Sequence, residues 1–176
     1  MAIEKKIDAT NFRLQFYLID EYSKEIIRKA ADKQNVGDFI DILESIQNSE
    51  IPIVLNSSSI LLLLANKSKD GNSLKGIMGT KIFEYLAVEK PILCVRNDED
   101  CLEKTINEAN AGIAASTVDQ VEGFILEKYN EWKQNGFTHQ KVNKNYIQQF
   151  SRKYQAKQFV DLFEEIININ INKQLK

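Results

Sequence analysis

Lys81 and Glu84 are the residues with the most chemistry to offer. They lie in the run Gly76-Ile77-Met78-Gly79-Thr80-Lys81-Ile82-Phe83-Glu84-Tyr85-Leu86-Ala87, which leads on to Pro91-Ile92-Leu93-Cys94-Val95. The run reads as a glycine-bearing loop, a short helix and a buried strand. Ile82, Phe83, Leu86 and Ala87 recur at helical spacing and turn one face inward. Lys81 and Glu84 then reach outward together on the other side. Their order works against a purely structural pair, because a first-turn lysine sits where the helix dipole favours negative charge, and Lys before Glu is the weaker order. Local rules broken without a local gain tend to lie at functional sites. An anion docked at the helix start would account for the lysine, since the N–H groups of Met78, Gly79 and Thr80, the dipole and the ammonium converge on it. The plain alternative is an exposed ion pair worth roughly 0.2–0.5 kcal/mol.

The elements that must position these two side chains come from a chain of 176 residues, enough for one domain, 1–176, with a substantial core. A net charge of −2 gives no basic footprint, which argues against nucleic acid as a partner. Cys94 sits in an apolar strand run, and with Cys101 it lacks metal-site spacing, so both read as reduced thiols of a cytoplasmic protein. No metal and no cofactor is expected. No stretch reaches the ~20 apolar residues of a membrane span, and the charged N-terminus lacks a signal-peptide core.

Hydrophobic patterning predicts an alternation of strands and helices. Phe12 to Ile19 is a strand entering a core, followed by a helix from Asp20 to Lys33 with Ile26, Ile27, Ala30 and Ala31 inside. Val36 to Leu43 is a second strand. Ser49-Glu50-Ile51-Pro52 resembles a helix start, with a capping serine and a proline in the first turn. Ile53-Val54-Leu55 suits a strand equally by propensity, but a short helix from Ser49 to Ser57 keeps the alternation regular. Ile60 to Ala65 is continuously apolar, as in a strand buried on both faces. The polar segment Asn66 to Lys75, with Lys67, Lys69 and Lys75, is a loop leaving that strand's carboxyl end, where α/β sheets bind ligands. Its lysines are ligand contacts or a solvated face.

Ile92 to Val95 is the next strand, ended by Arg96-Asn97-Asp98, and Cys101 to Glu108 the next helix. Ala111 to Ala115 is a last strand. Thr117-Val118-Asp119-Gln120 is a capping box opening a helix whose stripe includes Tyr129 and Trp132, and Asn135-Gly136 breaks the chain after it. Trp132 reads as a packing anchor and the lone His139 as a surface residue. Ser151 caps a closing helix with Ala156, Phe159, Val160, Phe163, Ile166 and Ile167 as its apolar stripe, and the tail from about 168 to 176 is expected to fray. The sum is an α/β class: a Rossmann-like parallel sheet of about five strands, helices on both faces, right-handed crossovers.

Thr80 to Ala87 followed by Lys90-Pro91-Ile92-Leu93 resembles the donor-binding signature of retaining GT-B glycosyltransferases of the family-4 type. Ala111-Gly112-Ile113 is similar to that family's late glycine-containing strand, and Asn145 to Arg152 with Ala156 to its closing helix, which normally crosses back to the first domain. The likeness runs from about Ser59 to Ile167, with a weaker fit from Asn11 to Ser58. It implies one half of a GT-B fold, the C-terminal half that binds a nucleotide-diphosphate sugar for transfer to an acceptor. Lys81 would neutralise or flank the donor phosphate, and Glu84 would accept hydrogen bonds from both ribose hydroxyls. Gly79 and Thr80 would offer N–H groups to the diphosphate, and Thr80 its hydroxyl as well.

The sequence departs from that pattern in four places. Gly76 stands where many members carry an acidic residue that binds the donor sugar. Ile19-Asp20-Glu21-Tyr22 replaces a glycine followed by a phosphate-gripping arginine and lysine. Glu89 replaces a common glycine at the helix end. The usual first domain, with the acceptor site and most residues at the reacting carbon, is missing. The chain would therefore be a piece of a longer enzyme or one subunit of a split transferase. It would be cytoplasmic, or held at the inner membrane face by its partner domain, and would turn nothing over alone. Gly76 and the acidic first loop fit an alternative, a noncatalytic Rossmann-like nucleotide-binding or scaffolding module. A dehydrogenase-type dinucleotide domain is disfavoured because no G-x-G-x-x-G follows the first strand here. A response-regulator receiver is disfavoured because Ile60 to Asn66 offers no aspartate at the strand end.

Overall fold

The computed structural model of the chain describes residues 7–65, 76–95 and 100–174, with side chains as far as Ile169. The lysine-bearing stretch 66–75 and Arg96-Asn97-Asp98 lie outside the described residues. Strands and helices alternate as β1 (Leu14–Leu18), α1 (Glu21–Gln34), β2 (Ile40–Glu44), α2 (Ile51–Ser57), β3 (Leu61–Leu64), α3 (Lys81–Ala87), β4 (Ile92–Val95), α4 (Cys101–Glu108), β5 (Gly112–Ala115), α5 (Val118–Asn135), α6 (Lys144–Gln148) and α7 (Arg152–Gln174). All five strands run parallel and are flanked by helices.

The helix ends follow local side-chain chemistry. Asp20 caps α1 by accepting the Ser23 N–H at 2.7 Å. Thr117 and Gln120 form the full capping box of α5, and Gly136 ends that helix at φ 79°. Ser151 accepts the Tyr154 N–H at 3.1 Å where α7 begins. Two expectations need correction. Ser49 does not cap α2: Glu50 holds that place and its carboxylate accepts the Gln47 N–H instead. Strand β2 starts at Ile40 rather than Val36, because Gly37–Phe39 first makes a 3-10 turn. The closing segment is two helices, α6 and α7, and α7 runs to Gln174.

The strands are hydrogen-bonded in two groups, β1 with β2 and β3 with β4 and β5. Leu61 and Ala65 donate their N–H groups to Pro91 and Val95. Strand alternation therefore turns the backbone groups of Leu62 towards the opposite edge. There the Leu62 carbonyl accepts the Tyr85 hydroxyl at 3.2 Å, so a side chain uses an acceptor that a neighbouring strand would otherwise take.

The best-sealed core belongs to the three-stranded group, where Ile82, Leu86, Ile92, Cys94 and Ile106 are fully buried. Gly112 opens β5 at φ 152°, opposite Ile92. A Cβ there would lie 1.9 Å from the Ile92 carbonyl oxygen, so glycine lets β4 and β5 pair at this level.

Candidate functional site

Helix α3 is fixed by its inner face. Ile82 and Leu86 are sealed in the core, and Met78, Phe83 and Tyr85 pack against the same cluster. The Tyr85 hydroxyl ties the helix to β3. Burial, and then the neighbouring Glu84 carboxylate, push this phenol above its usual pKa, which keeps it protonated as a donor. From below, Phe150 meets Phe83 at 5.3 Å between ring centroids, and Tyr146 meets Phe150 edge-on at 5.5 Å.

Those two aromatics are held in place by the passage from α5 to α6. The Thr138 hydroxyl donates to the Ser59 carbonyl at 2.6 Å, and Asn143 N–H donates to the Ala109 carbonyl at 2.7 Å. Lys128, almost fully buried, contacts the carboxylates of Glu127 and Glu131, each at 3.0 Å, and donates to the His139 carbonyl. His139 itself has an exposed side chain and acts here only through its backbone. Trp132 stacks with Tyr129 at 6.1 Å.

With one face locked, the other is committed to solvent. Gly79, Thr80, Lys81 and Glu84 are all exposed, and they lie together at the start of α3. Thr80 already has helical angles, φ −63° and ψ −26°, and its side chain makes no capping hydrogen bond. Ile82 N–H and Phe83 N–H close onto the Gly79 and Thr80 carbonyls at 3.4 and 3.1 Å. Among the described residues, the N–H groups of Met78, Gly79 and Thr80 have no acceptor. The tip is therefore a polar, donor-rich surface with a cation beside it and a carboxylate one turn on.

Two carboxylates lie nearby, and of these Asp100 was not singled out by sequence reasoning. Asp100, just before α4, accepts the Gly76 N–H through its side chain, while Gly76 takes φ 74°. A carboxylate thus stands beside position 76, supplied from another element, and the positive φ suits glycine there. Glu89 follows α3 at φ 54°, a left-handed conformation that glycine would adopt without strain, and its carboxylate meets Lys144 of α6 at 3.0 Å. Asp100 had no sequence signal, because its partner lies 24 positions away.

The acidic loop after β1 is largely occupied with structure. Asp20 caps α1, and Glu21 contacts Lys24 at 2.8 Å and Arg28 at 3.6 Å. Lys24, almost fully buried, also meets Glu44 at the end of β2 at 2.7 Å. Hydrogen bonds from Lys24 hold the Glu21 carboxyl below its usual pKa, and those same bonds hold Lys24 above its own. Among the described residues, no helix is long and apolar enough to cross a membrane, and no group of three His, Cys, Asp or Glu side chains is placed to hold a metal ion.

No family model and no curated protein matches the sequence. Among solved structures, the fold is similar to that of a sucrose-phosphate synthase from Thermosynechococcus elongatus, with a TM-score of 0.59 and 13% sequence identity. The match covers 90% of this chain and 39% of the synthase chain, so this chain spans well under half the length of the protein it resembles.

Proposed function

We propose that this chain is the donor-binding domain of a GT-B glycosyltransferase of the family-4 type, taking a nucleotide-diphosphate sugar at the start of α3. The observation that carries the reading is the outward placement of Lys81 and Glu84 on a helix whose opposite face is locked by Ile82 and Leu86. The fold shared with an enzyme of glycosyl transfer supports it. Lys81 neutralises charge on the diphosphate, Gly79 and Thr80 donate N–H groups to its oxygens, and Glu84 accepts hydrogen bonds from the ribose hydroxyls.

Sugar transfer needs the leaving diphosphate stabilised and an acceptor hydroxyl held against the anomeric carbon. The chain's own residues serve the first need. The second falls to a further domain or partner subunit, which agrees with a structural match confined to 39% of the synthase chain. Alone, the chain binds donor and turns nothing over. The reading places it in the cytoplasm, or at the inner membrane face through that partner.

A noncatalytic nucleotide-binding or scaffolding module is the second reading, favoured by Gly76 in place of an acidic residue. Calorimetric titration with UDP, GDP, ADP and NAD separates the two. Millimolar or tighter binding of one nucleoside diphosphate, lost in Glu84→Ala, supports donor binding. Absence of binding to all four supports the scaffold.

A further inference from the structure

We infer that, within the donor-binding reading, Asp100 is a positioning residue for the diphosphate. It holds the approach to α3 by the Gly76 N–H and keeps phosphate off that donor, so that the charge settles on Met78, Gly79 and Thr80. Asp100 occupies the N-cap place of α4, where aspartate is among the most favourable residues because its carboxylate can accept a first-turn N–H. Here its side chain makes no capping hydrogen bond. The carboxylate turns instead to Gly76, 24 positions earlier, and accepts that residue's N–H. A local preference set aside in this way tends to mark a functional position.

Topology puts the contact where it matters. Gly76 and Asp100 lie beyond the carboxyl ends of β3 and β4, which are neighbouring parallel strands. Ligands of α/β sheets bind along that edge. The bond ties the connection from β3 to α3 to the connection from β4 to α4. Gly76 takes φ 74°, and nothing lies within 4 Å of where its Cβ would stand. Glycine is there for the direction of the backbone and not for want of space. Only Ile77 to Thr80 separate this turn from Lys81, so its direction carries into the tip.

Charge says which way the carboxylate works. An acceptor already seated on the Gly76 N–H excludes a phosphate oxygen from it, and its negative charge repels a diphosphate brought that close. Further along, the N–H groups of Met78, Gly79 and Thr80 have no acceptor among the described residues, and Lys81 stands beside them. The favourable place for the anion is therefore displaced from Gly76 towards α3. Asp100 sets the register of the diphosphate along the tip without touching it.

Two substitutions in the full chain test this, read by amide hydrogen exchange without ligand and by calorimetry with UDP, GDP and ADP. Asp100→Asn keeps an acceptor for the Gly76 N–H and removes the charge, whereas Asp100→Ala removes both. Without ligand, the Gly76 N–H should exchange about tenfold faster in Asp100→Ala and at the wild-type rate in Asp100→Asn. The nucleotide that wild type binds should bind roughly threefold to tenfold more weakly to Asp100→Ala. Asp100→Asn should bind it as well as wild type or better, a rescue that a purely electrostatic role would not give. Equal Gly76 exchange in all three proteins would overturn the assignment. So would undiminished binding by Asp100→Ala, or a loss in Asp100→Asn as large as in Asp100→Ala. A wild-type chain that binds none of the three nucleotides overturns the donor reading instead, and the exchange rates still decide whether Asp100 holds Gly76.

Discussion

The Tyr85 hydroxyl and the Leu62 carbonyl are joined across 3.2 Å, which couples the helix carrying Lys81 and Glu84 to the edge of β3 away from β4. The bond adds a polar tie to the packing of Ile82 and Leu86 in the core. Tyr85→Phe removes the donor and leaves a part-buried carbonyl without it. The expected cost is about 1–2 kcal/mol in urea unfolding, with the m-value unchanged. A loss within about 0.3 kcal/mol of zero would show that packing alone holds the helix.

Among the described glycines, Gly112 alone has backbone within 4 Å of where a Cβ would stand. Gly112→Ala forces a Cβ into the Ile92 carbonyl at an unfavourable φ, and both penalties act where β4 and β5 pair. The expected loss is on the order of 3 kcal/mol or more, read as a lower midpoint or as failure to accumulate as folded protein. Wild-type stability would mean that β5 can shift away from β4 at no cost.

Glu89 offers the opposite case. Its left-handed backbone costs about 1–2 kcal/mol relative to a relaxed residue, offset by an exposed pair with Lys144 worth about 0–1 kcal/mol. Glu89→Gly relieves the strain but loosens the unfolded chain. A gain of up to about 1 kcal/mol is expected in thermal unfolding, whereas a marked loss would show the Lys144 contact to be the stronger term.

These residues mark how far sequence could reach. The strand–helix alternation was legible because Leu61–Leu64 and Ile92–Val95 are unbroken apolar runs and because Thr117 with Gln120 writes a cap in four letters. That Lys81 and Glu84 both face outward was legible from helical spacing alone. The division of the strands into two groups was not, since apolar runs show that strands form and not which of them pair. Nor was Asp100 beside Gly76, because periodicity carries no information about which loops meet. The structural work of Asp20 and Glu21 in the loop after β1 was not legible either, since the cap and the pair with Lys24 show only in the fold.

The loop that leads to α6 carries a pH dependence. Burial of Glu131 raises its carboxyl pKa, but hydrogen bonds from Lys128 and the His139 N–H outweigh this, and the net shift is downward from 4.5. A group with a depressed folded pKa contributes stability that is present above its unfolded value and lost as pH falls through the folded one. Stability should therefore fall below about pH 4.5, and Glu131→Gln should flatten that part of the curve. An unchanged acid limb in Glu131→Gln would remove Glu131 from the account.

The most direct test of donor binding at α3 compares the tightest-binding nucleoside diphosphate with its 2′,3′-dideoxy form, on wild type and on Glu84→Ala, by calorimetry. Hydrogen bonds to a carboxylate contribute about 1.5–3 kcal/mol, so wild type should prefer the intact ribose by about ten- to hundredfold. Glu84→Ala should bind both forms alike, at the affinity that wild type shows for the dideoxy form. Equal affinity of wild type for the two forms, or a ribose preference that survives in Glu84→Ala, would contradict the assignment of Glu84 to the ribose and of this helix tip to a nucleotide-sugar donor.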